Sequence, residues 1–596
     1  MKWPLLVMLL SPMLASCSRD ALEGDDRRVN TCVGDADCAS GVCRSDGLES
    51  FCVTTKADLG GLYLDLDLPA DSPFAAGLRI VDRASNFGID LQGTRADGFV
   101  QGVSLGVAVP VTVRTNLTIG ELPPDCMGLA GSPIPASMRL YPVGQPIGVA
   151  LPPYDGVYDE TFGGPTASVP VGIYDVVLEP DTTTAPSCWL PPLLLPERTL
   201  SNATDLYVKR GEVAGLDGHL DIPFDPACAT DAEACFRVEL LDNRSGRSLA
   251  RHVEQFAEGA LGNLGFRLRY FRPDADEPNV VPVLVVRPPS ALRAQGMPEL
   301  YWKLGAIDPD GDGDVSLELA PLLAATTRFI PLEASVRNED GDPAAANVLI
   351  VSRQLLGGAI GDNAVFQASL PTDTDGNFAV NVLPGKYDVV AVPASGTEFA
   401  LTNETWTFAD NDLGKGRTLE LRLVSRLAGT VVTTQSSPLE GLAVQSSPAV
   451  SEDVSLLEAV FSPGQSALLT SLPRTSSAST NERGAFELPV DPGRLDLFVK
   501  PERTSNLPWL VRRSLAISAT DPQALDLGEL RLRNPAVLVG EVVTPDGMPL
   551  PDVTVRAWLS LPASSKDERP SAVTLGEATS DATGRYRLLL PPSVAQ

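Results

Sequence analysis

The run Thr372-Asp373-Thr374-Asp375-Gly376-Asn377-Phe378, followed by Leu383-Pro384-Gly385-Lys386-Tyr387-Asp388-Val389, decides the fold. An Asp-x-x-Gly turn delivers the chain into a short strand that opens on an aromatic residue. A Pro-Gly turn then delivers it into another strand. The same order recurs at Thr480-Asn481-Glu482-Arg483-Gly484-Ala485-Phe486 with Asp491-Pro492-Gly493-Arg494-Leu495. It recurs once more at Thr579-Ser580-Asp581-Ala582-Thr583-Gly584-Arg585-Tyr586. Gly376, Gly484 and Gly584 are 108 and 100 residues apart, a domain-sized period. Ahead of each lies an opening strand and a Gly/Pro turn: Val336 before Asp340-Gly341-Asp342-Pro343, Gly429-Thr430-Val431 before Pro438-Leu439-Glu440-Gly441, and Gly540-Glu541-Val542 before Asp546-Gly547-Met548-Pro549.

Outward from these repeats the chain keeps the period of two that marks half-buried strands. Leu62, Leu64, Leu66 and Leu68 alternate with Tyr63, Asp65 and Asp67, and Leu419 to Leu423 and Leu530 to Arg533 alternate in the same way. The 51 Gly and 52 Pro punctuate the sequence too often for long helices. Candidate helices are few, and Arg251 to Leu261 is the best of them. The expected class is all-β, with tandem Ig-like or transthyretin-like β-sandwiches after a small disulfide-rich module. The repeats over 327–596 resemble the carboxypeptidase regulatory-like domain, a transthyretin-like sandwich. That resemblance implies a fold and no peptidase activity, since no zinc ligands of such an enzyme accompany it. Weaker echoes, Val169 to Val177, Asp97-Gly98-Phe99 and Gly265-Phe266-Arg267-Leu268, extend the pattern upstream. The expected division is one or two degenerate sandwiches over 57–216, then sandwiches over 217–326, 327–424 and 425–533. An incomplete unit over 534–596 follows, lacking its Gly-Tyr strand.

The N-terminus carries an address. Lys2 and the apolar Leu5 to Leu10 precede Leu14-Ala15-Ser16-Cys17. This resembles the lipobox of bacterial lipoproteins, which implies signal-peptide removal after residue 16 and diacylglyceryl transfer to the Cys17 thiol. Ser18 in place of Asp implies, by the same resemblance, sorting to the outer membrane. Residues 17–31 are charged and poor in apolar groups, and read as a flexible tether. The expected location is therefore the outer membrane, reached through a lipid anchor.

The remaining eight cysteines are an even number in an exported chain, which favours disulfides. Cys32, Cys38, Cys43 and Cys52 crowd into a module over 32–56. That module has too few apolar residues for a core and resembles the short Cys-rich modules near the start of myxobacterial-type lipoproteins. The simplest pairing places two bridges there, with Cys126–Cys188 and Cys228–Cys235 beyond. The spacings do not suit zinc, and no His is near.

Charge and chemistry narrow the function. Lys+Arg number 46 and Asp+Glu 76, a net charge of −30, which repels nucleic-acid backbones. Only His219 and His252 are present, and neither accompanies a nucleophile elbow, so no catalytic residue is assigned. Asp308, Asp310, Asp312 and Asp314 alternate through Asp308-Pro-Asp-Gly-Asp-Gly-Asp314, a pattern suited to Ca²⁺. The bidentate Glu of an EF-hand loop is replaced by Leu319, and a solvated acidic turn is the competing reading. No other cofactor is expected. Trp189, Trp302, Trp406, Trp509 and Trp558 are spread along the body, for core burial or for stacking on sugars and partners. The function expected is a non-enzymatic surface lipoprotein whose sandwiches bind or scaffold, with a membrane partner through lipid and a protein or glycan partner at the surface. A calcium-stabilised adhesin or carbohydrate-binding protein is the alternative, and an acidic-pair glycosidase ranks last.

Overall fold

The computed structural model describes residues 30–594 apart from short internal segments, the longest of which are 70–78, 90–97, 144–152, 318–328, 356–363, 450–472 and 562–570. Its secondary structure is almost entirely strand.

The repeated turn explains itself chemically. The Asp373 carboxylate accepts the amides of Asp375 and Asn377 at 2.9 and 2.8 Å. Asn481 does the same for Arg483 and Ala485, and Asp581 for Thr583 and Arg585. Gly376, Gly484 and Gly584 have φ of +73°, +71° and +74°. Their carbonyls accept the amides of Val336, Val431 and Val542 on the opening strands. A Cβ on Gly376 would lie 2.6 Å from the Val336 carbonyl oxygen, so both backbone angle and space require glycine. The Asp373, Asp375, Asn377 cluster is thus a turn device.

In the sandwich of Ile330–Asn338, Ala346–Leu355, Gln367–Pro371, Asn377–Val382, Gly385–Pro393, Thr402–Phe408 and Lys415–Leu421, the strands form two sheets. One sheet runs fourth–first–seventh, with the first and seventh strands parallel. The other runs third–second–fifth–sixth and is antiparallel throughout. The inner faces alternate as the period of two requires: Ile330, Leu332, Ala334 and Val336 meet Phe378, Val380 and Val382 in one core. Tyr387 is fully buried and donates its hydroxyl to the Leu383 carbonyl at 2.7 Å, so the polar end of a core aromatic is satisfied locally. Tyr174 makes the same bond to Pro170 at 2.8 Å, in the fifth strand of the first sandwich, Val111–Glu121 to Thr204–Glu212.

The sandwich of Ser425–Val432 to Ala524–Arg531 repeats this order strand for strand. In the first sandwich the hairpin of Tyr154–Asp159 and Gly164–Val169 joins the two sheets into one seven-stranded sheet. In the second, Ala214–Pro223 to Asp314–Leu317, the strand Val253–Glu258 pairs with Asn263–Tyr270 and joins the sheet of the first strand. This corrects the helix expected over Arg251 to Leu261. Glu, Gln and Ala favour a helix in isolation, but the hairpin partner and the Gln255 side chain, bonded to the Phe236 carbonyl, override local propensity. The third sandwich also lends Ala364–Val365 to the edge strand Glu299–Lys303 of the second.

The largest correction concerns the two ends of the chain. Ala536–Val543, Thr554–Leu561, Ser571–Thr579 and Arg585–Leu590 are the first four strands of a fifth sandwich. Its fifth, sixth and seventh strands are Leu62–Asp67, Arg79–Arg83 and Phe99–Gly106. The seventh lies parallel to the first, as in the other units. The unit expected to be incomplete over 534–596 is therefore completed, and Leu62–Asp67, Arg79–Arg83 and Phe99–Gly106 do not belong to the degenerate region that was expected to reach 216. One core joins Leu64, Leu66, Leu105, Leu538, Val555, Leu575 and Leu588 across the whole length of the chain. The edges that Thr554–Leu561 and Ala536–Val543 would otherwise expose are covered by these pairings.

Candidate functional site

Cys17 and His252 lie outside the described residues, as do Asp310 and Asp312. Asp308 is buried at the C-terminal end of the short helix Leu304–Ile307. Asp314 opens the strand Asp314–Leu317 and stands in register with Asp217. His219 is half-buried in Ala214–Pro223, opposite Gly265. Among the described residues no helix is long and apolar enough to cross a membrane.

The eight cysteines form Cys32–Cys43, Cys38–Cys52, Cys126–Cys188 and Cys228–Cys235. Cys32, Cys38 and Cys52 bring their sulfurs close together, but each is already bonded in a bridge. The module they staple is docked on the body. Phe51 and Val53, on the strand Ser50–Val53, are fully buried against Val537, Val539, Phe99 and Leu589 of the fifth sandwich. Burying one such side chain contributes about 2 kcal/mol. Arg587 reaches out of that sandwich to Asp46 at 3.1 Å and to Glu49, and its guanidinium lies 5.1 Å over the Phe51 ring. The Asn30 side chain donates to the Cys52 carbonyl and to the Asn506 carbonyl of the fourth sandwich, both at 3.0 Å.

Where the module, the fourth sandwich and the fifth meet, they enclose a cleft of about 800 Å³. The size is within the range of small-molecule sites, and a junction between domains is a frequent place for one. One wall is the module turn of Asp46, Leu48 and Glu49. A second is Lys500, at the end of Gly493–Lys500, with Trp509. The third is Glu541, Glu577, Tyr586 and Arg587. The Lys500 ammonium lies 4.5 Å from the centre of the Trp509 ring and 5.8 Å from that of Phe498. Burial pushes its pKa below the usual lysine value, with Glu577 working against the shift and Arg556 adding to it.

Of the tryptophans, Trp406 belongs to the third core: it lies over Phe378 and donates to Glu404 at 2.8 Å. Trp558 is buried beside Ala572 and Tyr63. Trp509 alone among these three lines the cleft. No motif in the sequence marks Lys500, Arg587, Asp46 or Glu49, because the cleft draws on segments hundreds of residues apart.

Comparison with protein-family models and with curated sequences finds no match. Among solved structures, a streptococcal ancillary pilin is similar at 9% identity and a TM-score of 0.21, over 54% of this chain and 99% of that one. The Bacillus anthracis TIE protein is similar at 12% identity and a TM-score of 0.15, over 67% and 68% of the two chains. The major pilin subunit of Bacillus cereus is similar at 9% identity and a TM-score of 0.14, over 52% and 99%. Likeness at this level has no bearing on function.

Proposed function

We propose that the chain is a non-enzymatic scaffold of the bacterial outer membrane, held by lipid on Cys17 and presenting five β-sandwiches and their junction cleft for binding. The observation that carries this reading is the docking of the stapled N-terminal module onto the sandwich made from both chain ends. Asn30, where the described chain starts, is bonded into the module and the fourth sandwich together. Lipid on Cys17 then holds a body onto which the stapled module is docked. Contacts between successive sandwiches support the same view. Arg244 binds Asp175 at 2.8 Å between the first and second, and Asp491 accepts the Leu401 amide at 2.9 Å between the third and fourth. The eight bridged cysteines offer no thiol nucleophile, and the sheet faces provide surface for binding.

Metabolic labelling with palmitate tests the anchor. The full-length protein takes up label and fractionates with outer membranes, and Cys17→Ala abolishes both. Equal labelling of the variant overturns the proposal.

A further inference from the structure

The junction cleft is lined by six carboxylates and three basic groups, and one of those bases stands outside the local ion pairs. Asp46 and Glu49 are engaged by Arg587. Glu577 is held by Arg556 at 3.6 Å. Asp581 is occupied by the amides and hydroxyl of its own turn. Lys500 differs: among the described residues no carboxylate lies within ion-pair distance of its half-buried ammonium, which rests on the Trp509 and Phe498 rings. A half-buried cation without a close counter-ion is costly and favours an anion that arrives from outside.

The rest of the lining restricts that anion. Glu502 and Glu541 stand exposed at the rim, adding carboxylates that accept hydrogen bonds and donate none. A polyanion such as a phosphate ester meets repulsion there. A ligand with a single carboxylate and several hydroxyl donors satisfies both Lys500 and the rim, and the apolar face of its ring suits Trp509. We propose that the cleft binds an acidic sugar of the uronate class, with its carboxylate on Lys500, its ring along Trp509 and its hydroxyls donating to the rim carboxylates. The inference deepens the reading of the chain as a binding scaffold and rests on it, but not on the lipid at Cys17.

Titration calorimetry on the full-length protein at pH 7 and low salt tests it, with tryptophan fluorescence as a second signal and methyl galacturonoside, which carries one carboxylate, as the probe. The galacturonoside binds, and uncharged methyl galactoside binds at least about tenfold more weakly, the factor expected for one charge-assisted contact. Lys500→Gln removes that preference, Lys500→Arg keeps it, and Trp509→Ala abolishes binding of both sugars. Thermal melts of the variants identify any that fail to fold, and the Lys500 pair carries the test if Trp509→Ala does. No binding of the galacturonoside at millimolar concentration overturns the inference. So does equal binding of the two glycosides, or a Lys500→Gln variant that binds the galacturonoside as the parent does. Palmitate labelling of Cys17 is read separately, so failure of the cleft and failure of the anchor are distinguishable.

Discussion

Asp65 and Arg556 are 491 residues apart in sequence and face each other directly across two antiparallel strands, with Nη1 and Oδ2 at 3.0 Å. Asp65 is fully buried, whereas Arg556 keeps about a fifth of its side chain exposed. Asp388 and Arg353 make the corresponding contact in the third sandwich at 2.6 Å, within one unit. In the fifth sandwich the same device ties the head of the chain to its tail. Removing Asp65 takes away the buried partner of Arg556 and leaves it the longer contact to Glu577 at 3.6 Å. Asp65→Ala is expected to destabilise the fifth sandwich by about 3 kcal/mol, and Asp65→Ala with Arg556→Met to recover much of that loss. Trp558, buried beside Tyr63 in this unit, reports the unfolding midpoint by its emission.

The two ends depend on each other. A chain lacking 534–596 loses the partners of Leu62–Asp67 and Phe99–Gly106. Limited proteolysis is expected to cut such a chain within 57–107 while the four intervening sandwiches resist. An independently folded 57–107 would survive the digestion.

The two isolated disulfides differ in the length of chain they close. Cys126–Cys188 spans 62 residues and Cys228–Cys235 spans 7. Loop-closure entropy assigns about 4 kcal/mol to the first and about 2 kcal/mol to the second. Serine pairs at each bridge are expected to lower the urea midpoint in that order, with the larger drop for Cys126→Ser with Cys188→Ser.

Asp491 provides the clearest pH dependence. Burial alone would raise its pKa, but the Arg474 guanidinium and the amides of Leu401 and Arg474 outweigh this and hold the carboxyl below its usual range. Arg474 also donates to the Phe399 carbonyl at 2.7 Å, so the group bridges the third and fourth sandwiches. A depressed folded pKa contributes stability that is fully present above the unfolded value of about 3.9 and is lost as pH falls through the folded value. The protection factor of the Leu401 amide against hydrogen exchange is expected to fall below about pH 4. In Asp491→Asn it is expected to be lower at neutral pH and flatter with acidification.

The local code of the sandwiches was readable because it is local. Gly376, Gly484 and Gly584 sit at turns where a positive φ and a close carbonyl exclude every larger residue, so the chemistry of a few neighbours suffices. The helix expected near Val253 failed for the opposite reason, since its partner strand lies beyond the window in which propensity is judged. The buried aspartates offered a signal that reading by turns passed over. Leu64-Asp65-Leu66 has the same order as Tyr387-Asp388-Val389 and Leu495-Asp496-Leu497, each on the fifth strand of its sandwich. That likeness marks Leu62–Asp67 as a fifth strand without its first four, and so points to a partner elsewhere in the chain.

By itself the sequence determined the strand class, the repeating turns and the cysteine-rich start, because each follows from residues within a few positions of one another. Only the tertiary structure decided that the two ends share a sandwich, that the cysteine module is docked upon it, and that Lys500, Trp509 and Arg587 line one cleft. Pairing between strands and the balance of charge in a cleft depend on which segments meet. The energy that selects them comes from burying Leu64, Leu538 and Phe51 together, which no short window of residues contains.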